Sequence, residues 1–267
     1  MTLNDILSKY GEKKLNILTK YPSILTYHVP SEKGILRPEL AETKSFSDYE
    51  QCFVTEKIDG ANSRIIIFNN DYIIGSRILF LYSKGDRFGD PTLNIVNTVK
   101  AHAEKFTDTL EYQHKNIYII FGETYGGNMN LASVNYTIDR ALAFRVFDIV
   151  ELPLRKVEKI LNDDDFEKII AWREHKNTHF KTVDEIKKIT DECQINTVPY
   201  MDVIKGSDMP VTLKDTYDWL KKYHNTMAGI NNHGVSEGVV VRTNDRKLIR
   251  KIRLDNYEKT MNNGNVD

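Results

Sequence analysis

The chain has 267 residues, with 37 Lys+Arg against 38 Asp+Glu, a formal charge of −1, 40% hydrophobic and 28% charged residues. This is the composition of a globular fold; it excludes a low-complexity or collagen-like chain, and near-neutrality argues against blind coating of nucleic acid by bulk charge. The longest aliphatic runs, Ile65–Phe68 and Ile117–Phe121, are strand-sized and far short of the ~20 residues of a membrane helix. The N-terminus lacks the basic-then-apolar pattern of a secretion signal. Two cysteines, Cys52 and Cys193, cannot build a disulfide framework or an all-cysteine zinc site. A reducing, cytoplasmic compartment is the expectation.

In chain order, Asn4 is placed to cap a short helix through Leu7 and Tyr10. Pro22, Pro30 and Pro38 then punctuate an extended stretch. From Phe53 the pattern turns to β. Arg64–Phe68 and Tyr72–Ile74 flank Asn69-Asn70-Asp71 and predict two strands joined by a tight turn. Ile95, Val99, His102 and Phe106 recur at helical spacing. Ile117–Phe121 and Ala143–Val150 predict short apolar strands. Leu152 to about Gly229 reads as helical. Val157, Ile160 and Leu161 share a face, Thr182-x-x-Glu185 and Thr212-x-x-Asp215 resemble helix starts, and Gly229 can end the last helix. Gly238–Arg242 and Lys247–Leu254 return to strand-like sequence. This order predicts an α+β fold of antiparallel sheets with flanking helices. It is expected as a single domain over 1–255 with a helical insertion over about 152–229, and a polar tail over 256–267 is expected to fray.

Six segments can carry chemistry. In Glu56-Lys57-Ile58-Asp59-Gly60-Ala61-Asn62, strand alternation puts Lys57 and Asp59 on one side. A lysine attacks only as the neutral amine, which burial and neighbouring cations favour; a surface turn accounts for the same residues. Gly75-Ser76-Arg77 offers a guanidinium at a strand end, suited to a ribose or phosphate or to solvent. Glu123 follows the apolar strand Ile119–Gly122 and precedes the pair Gly126-Gly127, at a strand end facing a loop. In Phe144-Arg145-Val146-Phe147-Asp148-Ile149, Phe147 is either an aromatic platform for a base or plain core. Glu237 opens the strand Gly238–Arg242, placed to reach a metal ion or solvent. Lys251 and Arg253 share a strand face, where two cations are best tolerated with an anion between them, or else serve to guard a sheet edge. Arg246, Lys247 and Arg250 form a further basic cluster, suited to phosphate contact or to solvent.

Their order is the informative fact. Lys-x-Asp-Gly, Ser-Arg, Gly-Glu, Phe-Asp, Glu-Gly-Val-Val-Val-Arg and Lys-x-Arg, spread over Phe53–Leu254, resemble the covalent nucleotidyltransferase superfamily of ATP-dependent polynucleotide ligases and capping enzymes. Within it they look most like the RNA ligase 2 and RNA-editing ligase branch. Asn62 stands five residues after Lys57, where DNA ligases and capping enzymes usually place Arg. The helix-filled spacing from Phe147 to Glu237 also looks similar.

The resemblance implies a nucleotidyltransferase-type catalytic domain and an activity. Lys57 would attack the α-phosphorus of ATP, expel pyrophosphate and carry AMP, which passes to a 5′-phosphate RNA end and is released when a 3′-hydroxyl attacks. The Glu56 backbone would contact the adenine and Phe147 would stack on it. Arg77 and Glu123 would bind the ribose, and Asn62 would hold the phosphate region. Glu237 would position Mg²⁺ (or Mn²⁺), through water. Lys251 and Arg253 would bind the α-phosphate; relatives more often have Lys where Arg253 stands. Asp59 is expected to act at the RNA steps or on metal or water. Neither the OB-fold of DNA ligases nor the helical C-terminal domain common in this branch is expected here, so either the insertion Leu152–Gly229 or a partner chain is expected to add RNA-binding surface. The competing readings are a small ATP-dependent DNA ligase, a capping-type guanylyltransferase, and a nucleotide- or RNA-end-binding module without turnover.

Overall fold

The computed structural model describes residues 2–31, 34–84, 86–87, 94–110 and 115–263. The chain divides into two compact units. One is drawn from Met1–Ser23, Gly60–Tyr125 and Leu142–Thr197, the other from Ile24–Asp59, Gly126–Ala141 and Val198–Asp267. Among the described residues, no helix is long and apolar enough to cross a membrane.

Twelve strands and eight α-helices appear among the described residues. The strands are β1 (His28–Pro30), β2 (Leu36–Leu40), β3 (Cys52–Lys57), β4 (Ala61–Phe68), β5 (Asp71–Ser76), β6 (Phe80–Ser83), β7 (Asp86–Arg87), β8 (Asn116–Gly126), β9 (Leu142–Pro153), β10 (Tyr200–Ile204), β11 (Gly238–Thr243) and β12 (Ile249–Arg253). The helices are α1 (Leu3–Tyr10), α2 (Glu12–Leu18), α3 (Ile95–Thr109), α4 (Leu154–Leu161), α5 (Phe166–Ala171), α6 (Val183–Glu192), α7 (Leu213–Leu220) and α8 (Leu254–Asn262). Strand pairing within the sheets is antiparallel wherever the register is defined, as the sequence predicts.

The first unit is built on a six-stranded sheet in the order β7-β6-β5-β4-β8-β9. Asn69 and Asn70 close the β4–β5 hairpin with φ of 48° and 56°, the left-handed conformation that asparagine tolerates best after glycine. Alternation splits the sheet. Ile66, Phe68, Ile73, Ile117, Ile119 and Phe121 pack on one face against Leu3 and Ile6 of α1, Leu15 and Leu18 of α2, Val157 and Leu161 of α4, and Ile169 of α5. Helix α3 packs against β4 and β5. Helix α1 begins at Thr2, not Asn4: Thr2 Oγ1 accepts from Asp5 N at 3.2 Å while Asp5 Oδ2 accepts from Thr2 N at 2.6 Å. Only Thr2 can exchange both bonds with a carboxylate three residues on.

The second unit holds the four-stranded sheet β10-β3-β11-β12 and the β1–β2 pair. Cys52, Val54, Val239, Val241 and Ile252 line its core face, with Leu213, Trp219 and Leu220 of α7 and Leu254 and Tyr257 of α8. Thr182 and Thr212 cap α6 and α7 as read. Three local readings change. Strand β10 lies within the stretch read as helical and pairs with β3, Tyr200 opposite Thr55; as a half-exposed edge it lacks the strong apolar alternation of a central strand. Helix α7 ends at Leu220, and Gly229 lies in a loop. The segment expected to fray forms α8 instead, because Leu254, Tyr257 and Thr260 recur at helical spacing and are buried; residues 264–267 lie outside the described part.

Candidate active site

On β3, β11 and β12, the face turned away from the core carries Lys57, Lys251 and Arg253. The register sets Lys57 opposite Gly238 and Gly238 opposite Arg253, with Thr55, Val240 and Lys251 as the next row. Lys251 and Arg253 alternate with buried Arg250 and Ile252, so the shared face read from the sequence is present. Gly238 has φ of 142°, and a Cβ there would lie 2.1 Å from the Ile252 carbonyl and 3.0 Å from Arg253 Cα. The middle strand thus has no side chain where its neighbours carry Lys57 and Arg253.

Glu237, just before that glycine, bridges the two. Lys57 Nζ donates to Glu237 Oε2 at 2.5 Å. Arg253 Nε lies 3.1 Å from Glu237 Oε1, an ion pair without hydrogen-bond alignment. The Lys57 side chain is 25% exposed and that of Glu237 11%, so the ammonium is held at the sheet and not out in bulk solvent. Arg253 also pairs with Asp255, Nη2 to Oδ2 at 3.3 Å. The Lys251 backbone is clamped from outside: its N–H donates to the Leu25 carbonyl at 3.0 Å and its carbonyl accepts from Tyr27 N at 3.1 Å.

Glu56 faces the opposite side of β3, and only 2% of it is exposed. Its carboxylate accepts from Met227 N at 2.8 Å, Ala228 N at 2.9 Å and the Thr226 hydroxyl, while its own N–H donates to the Pro199 carbonyl at 2.9 Å. It therefore anchors the loop that leads to Glu237. Asp59 is anchored as well. Its N–H donates to Tyr136 Oη at 2.8 Å, and its Oδ1 accepts from Asn130 Nδ2 at 2.8 Å. Burial pushes the Tyr136 phenol up, keeping it a neutral hydroxyl. Sequence reading missed Thr226, Asn130 and Tyr136. They lie 170, 71 and 77 residues from their partners, and no local pattern marks them.

The remaining site residues belong to the first unit. Asn62 and Glu123 are direct cross-strand partners on β4 and β8. Both are half-buried, and among the described residues Asn62 Oδ1 is a buried acceptor with no hydrogen-bond donor. Arg77 follows β5 in an exposed turn. Phe147 on β9 is half-buried against the core, its ring 5.0 Å from Tyr21 at 73°, and the Tyr21 hydroxyl donates to Asp148 Oδ2 at 2.9 Å. Glu56, Lys57, Asp59, Glu237, Lys251 and Arg253 are thus grouped in one unit, and Asn62, Arg77, Glu123 and Phe147 in the other. The chain passes between units at Asp59–Gly60.

Among the described residues, no three His, Cys, Asp or Glu side chains form a metal cage. A lone, mostly buried carboxylate such as Glu237 still fits Mg²⁺, which keeps several waters and binds through one or two carboxylates plus phosphates. The basic cluster beyond β11 is divided. Arg250 is buried and paired with Glu42, and Lys247 pairs with Asp245 at 2.7 Å.

A search of curated proteins finds no match to this chain. Solved structures of similar fold include the Naegleria gruberi RNA ligase with PPi, at 14% identity and TM-score 0.52, covering 91% of this chain and 64% of that one. A mutant of that ligase with ATP and Mn is similar at 15% identity and TM-score 0.53, covering 90% and 63%. This chain therefore spans less than two thirds of the length of those proteins, and at such identity the likeness is one of fold. The family described as RNA ligase matches residues 50–255. With that match running from just before β3 into the first turn of α8, the chain belongs to the RNA ligase family.

Proposed function

We propose that this chain is an ATP-dependent RNA ligase that joins a 5′-phosphate end to a 3′-hydroxyl end through AMP carried on Lys57. One observation carries the reading: in a chain of this family, Lys57 is held by Glu237 beside Arg253, across a strand position with no side chain. The Lys57 ammonium first releases a proton. Its Nζ lone pair then bonds the α-phosphorus of ATP, the bond to the bridging oxygen breaks, and pyrophosphate leaves with that electron pair; a second N–H proton goes to solvent. Next, a 5′-phosphate oxygen of RNA attacks the same phosphorus. The P–N bond breaks and Lys57 recovers a proton. Finally a 3′-hydroxyl attacks the RNA 5′-phosphorus, loses its proton and displaces AMP.

The chain's own work is electrostatic positioning. Lys251 and Arg253 meet the charge that builds on the phosphoryl oxygens. Phe147 stacks on the adenine, the Glu56 backbone contacts it, Arg77 and Glu123 bind the ribose, and Asn62 holds the phosphate region. Asp59, fixed by Asn130, serves the RNA steps. Glu237 would hold Mg²⁺ or Mn²⁺ through water; such an ion would supply charge neutralisation at the phosphates. Mutants of the Naegleria ligase were solved with ATP and Mn and with AMP and Mn, which supports ATP and a divalent ion here.

The test is intact-mass measurement after incubation with ATP and Mg²⁺. A gain of one AMP that vanishes in Lys57→Ala is expected. No adduct in the wild type, or an adduct that persists in Lys57→Ala, would overturn the reading. Sealing of RNA in preference to DNA at a nick separates it from a DNA ligase.

A further inference from the structure

Arg64 lies on β4 with no exposed surface. Among the described residues it has no carboxylate partner. Its Nη1 donates to the Asn16 carbonyl at 3.2 Å, its Nη2 donates to Asn16 Oδ1, and the guanidinium lies 5.1 Å from the centre of the Phe80 ring. Asn16, at the end of α2, is itself buried, and its Nδ2 donates onward to the Ile78 carbonyl at 2.9 Å. Ile78 belongs to the turn that carries Arg77. That turn is closed by Ser76 N donating to the Leu79 carbonyl at 2.9 Å and by Ser76 Oγ accepting from Ile78 N and Leu79 N at 3.2 and 3.1 Å.

Burying a cation without a counter-charge is costly. Burial, reinforced by Arg173, pushes the Arg64 guanidinium down to about 9. A methionine would fill this space without that cost, so packing does not account for the arginine. What arginine adds is direction. Its planar fork takes both Asn16 oxygens and leaves the Asn16 amide nitrogen aimed at the turn. Gly75 sits opposite Arg64 on β5. A Cβ there would come within 2.8 Å of Arg64 Nε and 2.9 Å of the Leu79 carbonyl, so the strand gives way to both the guanidinium and the turn.

We propose that Arg64 and Asn16 form a buried strut that fixes the 76–79 turn and thereby sets the direction of the Arg77 side chain. Both are positioning residues for nucleotide binding. The proposal rests on the ligase reading, in which Arg77 contacts the ribose.

Asn16→Asp tests it, because the carboxylate keeps the acceptors for Arg64 and removes the donor to Ile78. The expected result is a Tm no lower than the wild type's, because the new carboxylate pairs with the buried guanidinium, together with faster hydrogen exchange at the Ile78 and Leu79 amides and a KM for ATP in AMP-adduct formation raised roughly tenfold at unchanged kcat, the scale of one lost buried hydrogen bond. Arg77→Ala raises KM as well, and the double variant is no worse than Arg77→Ala alone, since one residue acts through the other. A normal KM in Asn16→Asp while Arg77→Ala raises it, or additive effects in the double variant, overturns the strut. A normal KM in Arg77→Ala overturns the ribose contact and with it the strut's role. If the wild type forms no adduct, the ligase reading fails, and exchange at Ile78 and Leu79 alone decides: faster in Asn16→Asp supports the strut, unchanged overturns it.

Discussion

Gly238→Ala probes how the sheet holds Lys57 and Arg253 together. The backbone there has φ of 142°, and the new methyl would meet the Ile252 carbonyl at 2.1 Å. Strain at such a φ costs about 1–3 kcal/mol. Overpacking against a main-chain oxygen, which cannot rotate away, adds about 1–3 kcal/mol. The sum, about 2–6 kcal/mol, is large beside a total stability of about 5–15 kcal/mol, so the adduct rate is taken per folded molecule from the urea curve. Relief requires β11 and β12 to part locally, which carries Arg253 away from Glu237 and Lys57. A shift of about 1 Å in a reacting group costs on the order of a hundredfold in rate. Urea denaturation and the rate of AMP-adduct formation measure the two effects. Gly11→Ala is the reference for backbone strain alone, because Gly11 has φ of 84° with nothing within 4 Å of its Cβ. If Gly238→Ala loses no more stability than Gly11→Ala and forms the adduct at the wild-type rate, the close approach at Gly238 does not organise the site.

Two further outcomes follow from the anchors. Glu56→Ala leaves the Met227 amide and the Thr226 hydroxyl without this acceptor and the Ala228 amide with Thr226 Oγ1, and should cost about 1–3 kcal/mol for each donor left unsatisfied, read by urea unfolding. Glu56→Gln, which retains one acceptor oxygen, should cost clearly less, and equal losses would refute the anchoring role. Stability should also fall in mild acid. His28 is fully buried and engaged by Tyr257 Oη at 2.6 Å and the Val211 carbonyl at 2.9 Å, and burial pushes it down from its ordinary value. Burial pushes His102 and His179 down as well. Below about pH 6.5 the unfolded histidines bind protons that the folded ones resist, so stability is full above that pH and is lost as pH falls. Melting at pH 7.5 and 5.0 checks this, and replacing His28 by Gln should flatten the slope; an unchanged slope would refute the assignment to His28.

The candidate site residues were legible in the sequence because they sit in short ordered segments. Lys57, Asp59 and Asn62 lie within six residues of one another, and Lys251 and Arg253 alternate on one strand. The β4–β5 hairpin, α3 and the capped starts of α6 and α7 were legible too, because strand alternation, helical spacing and capping are local signals. Strand β10 and helix α8 were not. A half-exposed edge strand has little period, and a terminal helix with three inward positions resembles a polar tail until the core that covers it exists.

Residue types and their order along the chain determined the family, the antiparallel α+β plan and the candidate for the attacking amine, Lys57. Only the tertiary structure decided that Glu237 bridges Lys57 and Arg253, that Glu56 turns inward to anchor the 226–228 loop, and that a buried arginine underlies the Arg77 turn. The physical reason is distance along the chain. Glu237 is 180 residues from Lys57, and a contact made by strand register and burial leaves no periodic trace in the sequence.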